Sequence, residues 1–264
     1  MRVPWLFGDP APRRLLMAAT VGMVLVSPWS WAQEAGKTCA VPPDTFAGAL
    51  PLERTRANLA AGTEVTIVAI GGASTLGRAA GSLKDAWPAR LGVALSARFP
   101  SAKIQVVNRG VAREKAADMV ARSQRDVLSL RPTLVIWETG TTEAVRGDDV
   151  DAFRLTLQTG IDRVRAAGAD IMFMDAQFSR RSSAMINLER YRIALRDAAE
   201  ASNAPIFPRY DVMRAWVEAG VFDFGVPEGE KSQAVAVRLY DCLGRAIAEF
   251  VERGAQLPAS EARP

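Results

Sequence analysis

Short runs of apolar and β-branched residues alternate along this chain with longer amphipathic stretches. The run Val65–Ile70 stops abruptly at Gly71-Gly72, which predicts a buried strand that turns into a loop. In the stretch Asp149–Ala167, apolar residues recur every three to four positions, which predicts a helix with one face against a sheet. The chain therefore has the alternation of strands and helices that is typical of α/β proteins.

These two patterns recur along the chain and predict five strands and six helices. We predict strands at Val65–Ile70, Lys103–Asn108, Thr133–Trp137, Asp170–Asp175 and Pro205–Phe207. We predict helices at Lys84–Phe99, Glu114–Leu130, Asp149–Ala167, Ser183–Ser202, Arg209–Ala219 and Ser232–Arg253. Because the connections are short and each crossover must be right-handed, these elements favour a mostly parallel sheet covered by helices on both faces.

The N-terminus has the pattern of a secretion signal. The pair Arg13-Arg14 precedes the apolar run Leu15–Val26, and Ser30-Trp31-Ala32 offers the small residues that a signal peptidase requires, so we expect cleavage before Gln33. A retained membrane anchor is the alternative, but the run holds about 12 residues where a span needs about 20. We therefore predict a periplasmic or secreted protein with no membrane span after cleavage.

This interpretation divides the chain into four parts. They are a signal peptide (1–32), an N-terminal extension (33–62), one α/β domain (63–254) and a disordered tail (255–264). The two cysteines, Cys39 and Cys242, lie near the two ends of the mature chain, and an even count in an exported chain favours a disulfide between them. Two buried free thiols are the alternative.

Composition excludes several classes of function. The 33 Lys and Arg residues against 29 Asp and Glu give a formal charge of +4, which falls to +2 (30 against 28) without the leader. A basic stripe with interleaved aromatic residues would indicate nucleic-acid binding, and the sequence has no such stripe. The chain has no histidine, so an ordinary Ser-His or Cys-His relay and a His-ligated metal site are excluded. We expect neither a cofactor nor a metal.

Candidate chemistry lies in the loops that follow the predicted strands, because ligands of parallel sheets bind beyond the carboxyl ends of the strands. These loops read G-G-A-S-T-L-G from Gly71, N-R-G-V-A-R-E from Asn108, E-T-G-T-T-E from Glu138 and D-A-Q from Asp175. Their order, with a late Y-D-C phrase at Tyr240, resembles the SGNH (GDSL-type) hydrolase family from about Val65 to Phe250. The resemblance implies a three-layer α/β/α, flavodoxin-like fold and an ester hydrolase site.

The first loop departs from the pattern of that family. The register of Gly71–Gly77 places Ala73 where the family has its nucleophilic serine and Gly72 where it has an aspartate. Ser74 falls one position late. The expected nucleophile is therefore replaced by a methyl group.

The other three blocks depart as well. Arg113 matches the residue whose N–H is an oxyanion donor in the family, usually glycine. Thr142 and Glu143 match the asparagine and the aspartate of the third block. The acid and base of the last block, D-x-x-H, fall near Lys231 and Ala234. Hydrolysis by the mechanism of the family is therefore not expected, because it needs a nucleophile, a base and a group that holds the base.

Other chemistries remain open at this point. Ser74 offers a hydroxyl, with Glu138, Glu143 or Lys231 as a base other than histidine. Glu138, Glu143 and Asp175 suggest a paired-carboxylate glycosidase site or an all-oxygen metal site. Acids at helix starts more often accept hydrogen bonds from backbone N–H groups, which is the simpler explanation.

We interpret the chain as an exported, inactive relative of SGNH hydrolases that binds an acylated or carbohydrate ligand at the cell envelope. Arg113 is expected to give the cleft a positive floor, and Trp137 and Trp216 are expected in the core. The alternatives are an active esterase or deacetylase that uses Ser74, and a structural partner in a surface polysaccharide assembly. The predicted pocket residues are Gly72, Ala73, Ser74, Arg113, Thr142, Asp175, Gln177 and Ala234.

Overall fold

The computed structural model describes residues 38–47, 49–179, 186–225 and 229–256 of the 264-residue chain. All of these lie in the unit that begins at Thr38. The predicted signal peptide (1–32), the first residues of the predicted helix Ser183–Ser202 and almost all of the predicted tail (255–264) lie outside the described residues.

Five strands form one parallel sheet in the described part of the chain: β1 (Val65–Gly71), β2 (Ile104–Gly110), β3 (Leu134–Glu138), β4 (Asp170–Met174) and β5 (Ile206–Phe207). They lie side by side in the order β2-β1-β3-β4-β5. In register, Ile67 of the first strand pairs with Val106 on one side and Leu134 on the other. The predicted parallel sheet and its five strands are confirmed.

The six predicted helices are present in the described residues, and three further α-helices were not predicted. The nine helices are α1 (Glu53–Ala60), α2 (Ala73–Leu76), α3 (Trp87–Arg98), α4 (Ala116–Asp126), α5 (Thr141–Arg146), α6 (Val150–Ala166), α7 (Glu189–Ala201), α8 (Arg209–Glu218) and α9 (Glu230–Gln256). None of the helices in the described residues is long and apolar enough to cross a membrane.

Alternate side chains of each strand enter two separate cores, one on each face of the sheet. On one face, Ile67 and Ile136 pack with helices α3, α8 and α9. On the other face, Val68 and Trp137 pack with helices α4, α6 and α7. This period of two gives strands that are buried on both faces, as a parallel sheet requires, and it confirms the predicted three-layer α/β/α architecture.

The segment before β1 is attached to the same core. Cys39 and Cys242 form the predicted disulfide, which joins this segment to α9 across a sequence separation of 203 residues. Trp216 is buried, as predicted, and its Nε1 donates to the carbonyl of Ala40 at 2.9 Å. At the amino end of β4, Asp170 accepts hydrogen bonds from the backbone N–H and hydroxyl of Thr55, both at 2.8 Å. The described part of the predicted extension therefore packs directly on the α/β domain.

Candidate functional site

A cleft lies at the carboxyl end of the sheet and has two lobes. The first, which we call the apolar lobe, has a volume of about 450 Å³ and is lined by Phe224, Val235, Leu239 and Tyr240, among other residues. The second, the arginine lobe, has a volume of about 470 Å³ and includes Arg113, Arg146 and Arg209 in its lining. Both lobes are lined by Ala73, Ser74, Gln177 and Ser179, so they meet at the loop after β1.

The single-turn helix α2 is held tightly in place where the two lobes meet. A Cβ atom on Gly71 would lie only 2.8 Å from the Cβ of Glu138, so only glycine fits there. From the end of β2, the amide of Asn108 donates to the carbonyl of Thr75 at 2.7 Å and accepts from the N–H of Gly110 at 2.9 Å. The turn therefore has a fixed position, with Ala73 exposed and Ser74 half-buried.

A chain of polar contacts runs from Ser74 into the protein interior. Nη1 of Arg209 donates to the hydroxyl oxygen of Ser74 at 2.8 Å, and Nη2 of the same guanidinium pairs with Oε1 of Glu138 at 3.1 Å. The other carboxylate oxygen of Glu138 accepts from the backbone N–H of Thr75 at 3.1 Å and from the hydroxyl of Thr75. The side chains of Arg209 and Glu138 are only 1% and 7% exposed, so this ion pair is buried at the base of the cleft.

Tyr240 completes the surroundings of Ser74. Its side chain is buried on α9 and lines the apolar lobe together with Ser74. Burial raises the pKa of the Tyr240 phenol, and the nearby charge of Glu138 raises it further, while Arg209 and the hydroxyl of Ser74 act in the opposite direction. Because the net direction is upward from a value near 10, the phenol stays neutral at physiological pH.

These contacts leave Ser74 without a base. A guanidinium stays protonated in proteins and has no acceptor, so Arg209 can only donate to the hydroxyl. Tyr240 is a neutral phenol, and Glu138 is already bound by Arg209 and Thr75. Activation of a serine requires an adjacent group that accepts its proton. The partners of Ser74 in the described residues therefore hold its hydroxyl in place and do not activate it.

Arg113 lines the arginine lobe, where the sequence analysis expected it to provide positive charge. The side chain is exposed, and the buried cation beneath the lobe is Arg209. The backbone of Arg113 has φ +68°, a left-handed conformation that favours glycine. Arginine thus occupies a glycine-like backbone position at the place where the resemblance implies a glycine.

The acids considered for catalysis have structural partners. Glu143 is buried and accepts from the backbone N–H of Ala116 and, at 3.2 Å, from that of Gly140, as expected of an acid at a helix start. Burial raises its pKa, and these backbone hydrogen bonds oppose the shift. Asp175 pairs with buried Arg192 at 2.6 Å. Within the described residues, no group of three His, Cys, Asp or Glu side chains is placed to hold a metal ion.

Six of the eight predicted pocket residues line the cleft. Asp175 does not, because its carboxylate points to Arg192 beneath the loop. Ala234 does not either, because it is exposed on α9 while its neighbours Val235 and Ala236 face the apolar lobe. The six that the structure brings together are Gly72, Ala73, Ser74, Arg113, Thr142 and Gln177.

Sequence reasoning missed two residues of the site, Arg209 and Tyr240. Arg209 follows β5 after a single intervening proline, so it belongs to the set of strand-end positions that the sequence analysis compared only as far as β4. Tyr240 lies in an apolar stripe of α9 with Ala236 and Leu243, where its hydroxyl gives no separate signal. Extending the comparison of strand ends to β5 would have identified the arginine.

Comparison with known proteins identifies the family of this chain. The sequence model of the non-GDSL lipase-like family matches residues 38–257. No curated protein sequence matches the chain.

Several solved structures share the fold. A two-domain esterase active on acetylated mannans, co-crystallised with mannopentaose, superposes with a TM-score of 0.66 at 17% identity over 83% of this chain and 58% of that chain. A protein assigned to the G-D-S-L family of lipolytic proteins, from Desulfitobacterium hafniense, gives 0.55 at 19% identity over 70% of this chain and 99% of that chain. An acetylxylan esterase from Geobacillus stearothermophilus gives 0.55 at 15% identity, over 75% and 97%.

Identities this low show a common fold, and these neighbours include hydrolases of the SGNH type that the sequence resembles. The family model covers all of the residues that the structure describes. The chain therefore belongs to the non-GDSL lipase-like family.

Proposed function

We propose that this protein is an exported, catalytically inactive member of its family that binds an acylated or carbohydrate ligand in the cleft. The observation that carries the proposal is the contact between Arg209 and Ser74. The one hydroxyl at the expected nucleophile loop that faces the cleft accepts a hydrogen bond from a permanent cation, and the preceding residue, Ala73, has only a methyl group. This arrangement offers no activated nucleophile for acyl transfer.

The shape of the cleft supports binding over a purely structural role. Apolar side chains filling the place of the missing nucleophile would favour a scaffold. The structure instead has two open lobes on either side of Ser74, with Thr142 and Gln177 providing hydrogen-bonding groups in the walls. Clefts of this size with a few convergent polar groups are typical of ligand sites.

The structural neighbours support the chemistry of the ligand. One of them is active on acetylated mannans and another is an acetylxylan esterase. For export, the support is the leader-like pattern of the first 32 residues and the Cys39–Cys242 disulfide, which suits an oxidising compartment.

Two measurements on purified protein test this proposal. Turnover of 4-nitrophenyl acetate by the wild type should not exceed turnover by the Ser74→Ala variant. An acetylated xylo- or manno-oligosaccharide or another glycan should raise the melting temperature, because only a ligand that binds the native state raises it. Turnover that disappears in Ser74→Ala would establish the alternative, an active esterase. That alternative has one observation in its favour, which is that Ser74 lies where the two lobes meet.

A further inference from the structure

The two lobes of the cleft differ in charge. Three arginines, Arg113, Arg146 and Arg209, line the arginine lobe, and among the described residues Glu138 is the one carboxylate there. Glu138 and Arg209 neutralise each other at 3.1 Å. Two positive charges, those of Arg113 and Arg146, are therefore left over in this lobe.

Neither of these two arginines has an ion pair or a side-chain hydrogen bond within the part of the chain that the structure describes, and both are exposed. In the apolar lobe, by contrast, Arg78 and Asp223 balance to a formal charge of zero. Elsewhere on the surface, some exposed arginines are in ion pairs, as Arg245 is with Asp241 at 2.6 Å. The unpaired charge at the cleft is thus concentrated on one side of Ser74.

We infer that the ligand of this cleft is an anionic oligosaccharide, with its carboxylate or sulfate group in the arginine lobe. The inference rests on the proposed function and names the class of ligand. Guanidinium groups recognise oxyanions through paired N–H donors, and Thr142 and Gln177 are placed to bond with sugar hydroxyls in the same cleft. The remainder of the ligand extends past Ser74 into the apolar lobe, where Leu239 and Phe224 offer contact for a sugar face or an acyl group.

Titration calorimetry with a short oligogalacturonate tests this inference, beside a neutral acetylated xylo-oligosaccharide and a sulfated neutral oligosaccharide. We expect binding of an anionic glycan that is tighter than binding of the neutral one and that weakens as salt is added. Arg113→Ala and Arg146→Ala should each weaken it by roughly twofold to fivefold, the upper part of the range for exposed charge pairs.

Arg54→Ala is the matched control. It removes the same charge from an exposed side chain of α1, which packs at the amino end of β4 and therefore at the end of the sheet opposite the cleft. The affinity of the Arg54→Ala variant for the anionic glycan should equal that of the wild type. If Arg54→Ala weakens binding as much as Arg113→Ala does, the attraction is nonspecific and the inference is wrong.

The three ligands separate the possible failures. Binding of the sulfated but not the uronate glycan would support the inference with sulfate as the anion. Equal or tighter binding of the neutral acetylated glycan, unchanged in both arginine variants, would overturn the inference and leave the proposed function standing. Binding of none of the three would overturn both.

Discussion

The buried pair of Arg209 and Glu138 is the feature whose removal should have the largest effect. Replacing Arg209 with methionine keeps most of the side-chain volume and removes the positive charge. Glu138 would then be left as a charge with 7% exposure and without its cation. Ser74 would lose the donor that lies 2.8 Å from its hydroxyl oxygen.

The expected loss of stability follows from the surroundings of Glu138. Removing one partner of a buried ion pair typically destabilises a protein by about 3–5 kcal/mol. Glu138 keeps its hydrogen bonds from the N–H and hydroxyl of Thr75, so the lower end of that range applies here. We expect Arg209→Met to lower the free energy of unfolding by about 3 kcal/mol.

Equilibrium unfolding in urea measures this value, and a double-mutant cycle isolates the pair. The double variant Glu138→Gln/Arg209→Met has no buried charge at this position, and the introduced side-chain amide keeps an oxygen for the N–H of Thr75, so most of the lost stability should return. The exposed pair of Arg154 and Asp197 is the control, since its side chains are 37% and 55% exposed and Arg154→Met should cost less than about 1 kcal/mol. A loss below about 1 kcal/mol in Arg209→Met, or no recovery in the double variant, would refute a desolvated ion pair at this position.

Three further predictions concern individual residues. At φ +68°, Arg113→Gly should be more stable than Arg113→Ala by roughly 0.5–1 kcal/mol in thermal unfolding, because alanine keeps the Cβ clash; equal stability would contradict the strained backbone. Burial raises the pKa of Glu143 above its ordinary value of 4.5. The stability of the wild type relative to Glu143→Gln should therefore be greatest below pH 4.5, and it should fall as the pH rises through the folded-state pKa. A flat difference between about pH 3 and 7 would contradict that shift. Replacing Cys39 and Cys242 together by serine should lower the free energy of unfolding by up to about 5 kcal/mol, and no loss would show that the bridge does not restrict the unfolded chain.

The sequence predicted the sheet well because most strands are short, largely apolar runs, and β1 and β3 end at Gly71 and Glu138. Helix bounds were less accurate where local sequence changes the geometry. The predicted helix from Lys84 begins only at Trp87, since Pro88 suits the first turn of a helix and the preceding Leu83–Asp85 forms a separate 3-10 turn.

Two of the unpredicted helices carry little of the periodic signal. In α1 the one fully buried residue is Thr55, which hydrogen-bonds to Asp170, so the helix has no buried apolar stripe to detect. Helix α5 has six residues, which is too short for a repeated pattern.

The candidate site was predicted in outline because the carboxyl ends of neighbouring strands must meet. Ala73, Ser74, Arg113 and Thr142 come from three such ends and line one cleft. The partners of Ser74 were not predicted, because the contact with Arg209 spans 135 residues of sequence and depends on how α8 packs under the loop. The place of Arg209 after β5 marks it as a strand-end residue, but its burial and its contact with Ser74 have no local sequence pattern.

The central claim is that the surroundings of Ser74 do not activate it as a nucleophile. A fluorophosphonate reagent tests this directly, because it forms a phosphonyl ester with an activated serine and expels fluoride. After incubation, the intact mass of the purified protein should be unchanged, while an active SGNH esterase treated in parallel should gain one phosphonyl group. A phosphonyl adduct on the wild type that is absent from Ser74→Ala would contradict the account.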